Sequence, residues 1–119
     1  FEGQGAVSPI VGNSYNVGSV VRTGVGVYTV TPTQATFFGV NVIEKSFPTI
    51  SYAISPSAET ALFIVGIIGS GGDALITVKA AVQGAGNQID VLPYDLVAGD
   101  FISATLLLTV GTGELPPQI

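Results

Sequence analysis

The side chains in this chain that could do chemistry are carboxylates and little else. Of its 119 residues eight are acidic, namely Glu2, Glu44, Glu59, Asp73, Asp90, Asp95, Asp100 and Glu114; three are basic, and histidine and cysteine are absent. Without imidazole there is no Ser-His triad, no histidine metal ligand and no acid–base group poised near neutrality. Without thiol there is no cysteine nucleophile, no disulfide and no thiolate metal site. A pair of carboxylates could still hydrolyse a glycoside, which needs two of them about 5–10 Å apart across a cleft. A β-sandwich of this length has little room for a deep sugar cleft. The expectation is therefore a non-enzymatic protein with no catalytic, cofactor-binding or metal-binding residues and no cofactor.

Three local patterns need a separate reading. Asp90, Asp95 and Asp100 recur at a spacing of five in a turn-rich segment. Calcium prefers such loop oxygens, but aspartate is also common in turns because its side chain bonds the local backbone. No DxDxDG run accompanies them, so the turn reading is preferred. Gly69–Asp73, GSGGD, resembles a phosphate loop only in composition. A phosphate loop opens a helix and carries Gly-Lys-Ser/Thr, whereas the strand-like ALITVKAAV follows here. Tyr94–Asp95 sits in a proline-containing loop, where a tyrosine beside an aspartate could meet a sugar. The chain has no tryptophan to serve as a platform.

Arg22, Lys45 and Lys79 are the only basic residues, and the net charge is −5. That balance argues against binding nucleic acid by neutralising phosphates, and it excludes a polybasic membrane patch. The longest apolar run, Ala61–Ile68, has eight residues, against about 20 for a spanning helix. No membrane insertion is expected.

The elements that must position these residues are strands. Ser19–Thr31 reads as a hairpin: an apolar strand, a tight turn at Arg22–Thr23–Gly24, and a return strand whose side chains alternate in period two. Further strands are expected at Phe37–Ile43 (with Gly39 as a bulge), Phe47–Ile54, Ala61–Ile68, Ala74–Val82, Ile89–Leu92 and Phe101–Val110. The first hairpin arm begins at Tyr15. Glu44–Ser46 reads as a polar turn. Ser55–Thr60 reads as a loop that could hold a short helix. Pro48 marks an edge or a strand start, because proline cannot donate to a ladder. About eight strands with regular turn signals and no convincing helix give an all-β class: a single antiparallel β-sandwich, jelly-roll-like. The division is an extended N-terminal arm over 1–14, the sandwich over 15–110, and an extended C-terminal tail over 111–119. Phe1–Ser14 lacks the basic and apolar regions of a signal peptide. Methionine is absent even at position 1, which reads as a processed product or a fragment.

Charged residues make up only 9% of the chain and hydrophobic residues 47%. An ordinary domain carries about 25% charge, so this one needs another way to hide apolar surface, and contacts with copies of itself are the simplest. A strand as apolar as ALFIVGII must be central, or covered by a symmetry mate.

Ser19, Val20, Arg22, Gly24, Gly26, Tyr28 and Val30 fit the outline S-V-x-R-x-G-x-G-x-Y-x-V. That outline resembles the opening of small β domains in tailed-bacteriophage fibre and spike proteins. Asp100–Val110 is similar to their closing strand, while Phe37–Leu92 has no counterpart. The resemblance implies a virion structural protein: a homotrimeric β domain of a tail or head fibre, or a capsid-decorating protein, held on the particle surface by capsid or tail proteins. It transfers no binding residues. Two alternatives stand beside it. One is a module binding carbohydrate or a host-surface glycan through Ser55–Thr60, Gly69–Asp73 and Gln83–Gln88. The other is a bacterial surface or pilus subunit exchanging strands through Phe1–Ser14.

Overall fold

A computed structural model describes residues 1–37, 39–53, 62–70 and 72–108. The elements run β1 (Glu2–Gln4), β2 (Val7–Ile10), β3 (Val17–Gly24), β4 (Val27–Pro32), β5 (Thr36–Phe37), β6 (Val40–Asn41), α1 (Val42–Lys45), β7 (Ser46–Ala53), β8 (Leu62–Ser70), β9 (Asp73–Gln83), β10 (Ile89–Pro93) and β11 (Phe101–Leu108). All ladders among the described residues are antiparallel. One sheet has the order β2-β1-β11-β7. In the other, β9 is central. β8 pairs along one of its edges, while β4 and β10 follow one another along the other, with β3 outside β4. A two-stranded ribbon, β5–β6, stands apart.

The chain is an all-β antiparallel sandwich. Its core joins Val20, Tyr28, Ile76, Val78 and Ala80 from the second sheet to Ile102 of the first, with Leu96 contributed by a loop. The β9 sequence explains its own orientation. Ala74, Ile76, Val78 and Ala80 are buried, and Lys79 between the last two is exposed. That is the period-two pattern of a strand with one face on a core.

Four local readings are corrected. The hairpin turn lies at Val25–Gly26, not at Arg22–Gly24, and Arg22 and Thr23 remain in β3. Two glycines two residues apart offered two turn positions. Gly26 takes the left-handed conformation, φ 67°, which a tight hairpin turn requires and a Cβ opposes. The strand expected over Phe37–Ile43 is instead β5, a turn with Gly39 at φ 74°, β6 and the start of α1. Gly39 is thus a turn residue rather than a bulge. Asn41 stops the strand: its Oδ1 accepts from Ile43 N at 3.0 Å, an N-cap contact that begins the one-turn helix where a polar turn was expected. Val42 and Ile43 are buried by it.

The fourth correction concerns the N-terminal arm. It folds back onto its own chain, as β1 pairs with both β2 and β11. Its glycines make it a poor strand locally, but the ladder with β11 satisfies its backbone from across the sequence. The longer strands fall where expected, and the three further short ones come from the arm and from the split at Gly39. β7 lies at the end of its sheet with Pro48 opposite Leu106, the edge position that proline favours. Ser55–Thr60 and the 111–119 tail lie outside the described residues.

Candidate functional site

A densely bonded polar cluster gathers around the tip of the β3–β4 hairpin. β9 runs past that tip. Val78 N donates to Gly26 O at 2.7 Å, and Tyr94 N donates to Val78 O at 3.1 Å. The chain leaving β10 is therefore delivered against the turn. Asp95 then receives three donors: Arg22 Nε at 2.9 Å, Arg22 Nη2 at 2.8 Å and Gly26 N at 2.8 Å. Both side chains of the pair are about one-fifth exposed, 19% and 20%. The Arg22 hydrogen bonds, followed by the one from Gly26 N, hold the Asp95 carboxyl below the ordinary aspartate range.

Beneath this pair, fully buried Tyr28 accepts from Leu96 N at 2.8 Å through its hydroxyl. Burial pushes the Tyr28 hydroxyl above its usual pKa. The Phe1 ring packs on Tyr28 with centroids 5.2 Å apart and planes tilted by 47°. The rest of the loop turns around Asp100, which is also fully buried. Its Oδ2 accepts from Val97 N at 3.0 Å and from the Tyr94 hydroxyl at 3.2 Å. Burial, then the Asp100 charge, raises the Tyr94 hydroxyl. The N-terminal strand closes the far side: Gly3 N donates to Asp100 O, Gly5 N to Leu96 O, and Gly99 N to Glu2 Oε2.

The three aspartates spaced by five are thereby separated. Asp95 holds the hairpin tip, Asp100 holds its own loop, and Asp90 lies exposed on β10. Among the described residues no group of three or more carboxylates is gathered as a metal would need. Tyr94 and Asp95 do not form a joint sugar edge, since the tyrosine hydroxyl turns to Asp100 and the aspartate to Arg22. The Gln83–Gln88 turn closes on itself through Gly84 N to Gln88 O at 2.9 Å. In the Gly69–Asp73 stretch, Ser70 of β8 pairs with Asp73 of β9. The stretch opens no helix, so the phosphate-loop reading has no geometry to stand on.

Two other features were not legible in the residue types. A cavity of about 610 Å³ lies between the sheets. Val20, Val30 and Ile76 line it from one side, Ile102 and Thr105 from the other, and Asn13–Asn16 lie at its margin. No charged side chain lines it among the described residues. The second feature is β10, all five of whose residues are exposed. Ile89 is 72% exposed, Leu92 51% and Val91 45%. Successive strand residues point to opposite faces, so β10 is uncovered on both.

Comparison with known protein families, with characterised proteins and with solved structures finds no match for the chain.

Proposed function

We propose that this chain is a non-enzymatic structural β domain that works by assembling with copies of itself. In the finer reading it is a homotrimer on the surface of a tailed-phage virion, as a capsid-decorating or fibre domain attached to capsid or tail proteins. The observation that carries the assembly reading is β10, an apolar strand uncovered on both faces in a chain with 9% charged residues. Such a strand is an aggregation liability for a lone monomer and an asset in an assembly.

The virion reading is supported by the Ser19–Val30 outline. Arg22, Gly26 and Tyr28 meet in one clasp with Asp95 and Leu96, which makes the pattern a framework for the fold rather than a ligand site. In this reading the polar chemistry builds the domain and the apolar strand builds the particle. Size-exclusion chromatography with light scattering at micromolar concentration tests the assembly: a trimer is expected, and a monomer overturns it. Immunogold labelling of the source particle tests the location, and a particle that carries no label overturns the virion assignment.

A further inference from the structure

Beyond the hairpin tip, β9 continues alone with β8 on one side and β10 on the other. β4 ends its pairing at Thr77, and β10 takes over from Lys79 to Gln83. This makes a three-stranded ribbon, β8–β9–β10, with two outer edges. Among the described residues, neither the outer edge of β10 nor that of β8 pairs with another strand. An unpaired edge presents a row of backbone donors and acceptors that another strand can satisfy.

Resting on the self-assembly reading, we propose that β10 of one copy pairs with β8 of the next, head to tail. Three observations favour a second copy as the occupant. The two edges that are unpaired among the described residues lie on opposite sides of one ribbon, so each copy offers both halves of the contact. Leu62–Ser70 contains no charged residue and Ile89–Pro93 contains only Asp90, so two chains of net charge −5 can meet there with little repulsion. Ile89, Val91 and Leu92 supply the exposed apolar side chains that such pairing covers. A contact between two different edges is heterologous, and it closes into a ring when the rotation between copies allows. Three copies satisfy the trimer reading.

Two variants of the full chain test this, each judged by light scattering beside the unmodified protein. Ile89→Lys/Val91→Lys charges the β10 side at exposed positions. Gly66→Lys charges the β8 side, at an exposed glycine where a Cβ would meet no described atom within 4 Å. Both are expected to shift the assembly to monomer while the far-UV circular dichroism of the fold is kept. An unmodified chain that is already monomeric overturns the assembly reading together with this one. An unmodified oligomer that both variants leave intact overturns the β10–β8 pairing alone and leaves assembly to another surface. Dissociation by the β10 variant but not by Gly66→Lys also overturns it, since β10 would then be pairing with its own equivalent. If a variant loses its β spectrum, Gly66→Ser and Val91→Thr replace them, read as a rise in the dissociation constant; an unchanged constant counts against the pairing.

Discussion

Arg22 and Asp95 are 73 positions apart and meet through two parallel contacts, Nε to Oδ1 at 2.9 Å and Nη2 to Oδ2 at 2.8 Å. The pair fastens the loop after β10 to the β3–β4 hairpin, while Gly26 N donates to Oδ1 from beside it. Asp95→Ala removes three hydrogen bonds and strands the Gly26 N–H. A loss of about 1–3 kcal/mol is expected from the charge-assisted and backbone bonds, read as a lower urea midpoint. Arg22→Lys keeps the charge but not the fork, so it is expected to fall short of the unmodified protein in the same measurement.

The same pair sets a pH dependence. The folded Asp95 pKa lies below its ordinary value, so between the two values the unfolded chain binds more protons than the folded one. Stability from this group is therefore fully present above the ordinary aspartate range, near pH 4. It is lost as pH falls through the lowered folded pKa. Thermal melts from pH 6 down to pH 2 are expected to show a steeper fall for the unmodified protein than for Asp95→Asn. Parallel curves would refute the assignment.

Gly26 and Gly5 share a left-handed backbone, φ 67° and 71°, but not their surroundings. A Cβ on Gly26 would stand 2.8 Å from Tyr94 N and O and run into the Val78 carbonyl; on Gly5 it would meet no described atom within 4 Å. Gly5→Ala is expected to cost about 1–2 kcal/mol, the conformational penalty alone. Gly26→Ala adds the collision and is expected to cost more than about 3 kcal/mol. Paired denaturant titrations give the difference, and equal losses would show that the hairpin tip yields.

Tyr28→Phe tests the buried bond beneath the clasp. The ring still fills its place, but Leu96 N loses its acceptor at 2.8 Å. An unsatisfied buried donor costs about 1–3 kcal/mol. Hydrogen exchange at Leu96 is expected to accelerate along with the loss in unfolding free energy. Exchange left unchanged would mean that the amide has another acceptor.

The strands were legible because their cause is local. β9 places Ala74, Ile76, Val78 and Ala80 on one buried face at period two, and Pro48 points to an edge wherever that edge lies. The clasp was not legible, because its cause is distant. Nothing near Asp95 in sequence points to Arg22, and the spacing of Asp90, Asp95 and Asp100 suggests one shared site where the fold makes three separate environments. Asn41 was missed for a related reason. An apolar run containing one asparagine reads as strand, and only the capping bond to Ile43 N turns Val42–Lys45 into helix. The N-terminal residues read as an extended arm because their glycines weaken any local ladder. Their partner, Phe101, lies at the other end of the chain.

That last pairing has a temporal consequence. Phe1 N donates to Ile102 O across 101 positions, and β1 and β11 lie side by side in the middle of their sheet. A ribosome adding about 5–20 residues each second takes about 5–20 s to supply the second half of that contact. Through that interval the hairpin of the opening ten residues waits with one edge unmatched, and the first sheet cannot exist. The first sheet thus closes only once Ile102 has been made, and assembly with other copies has to follow that closure.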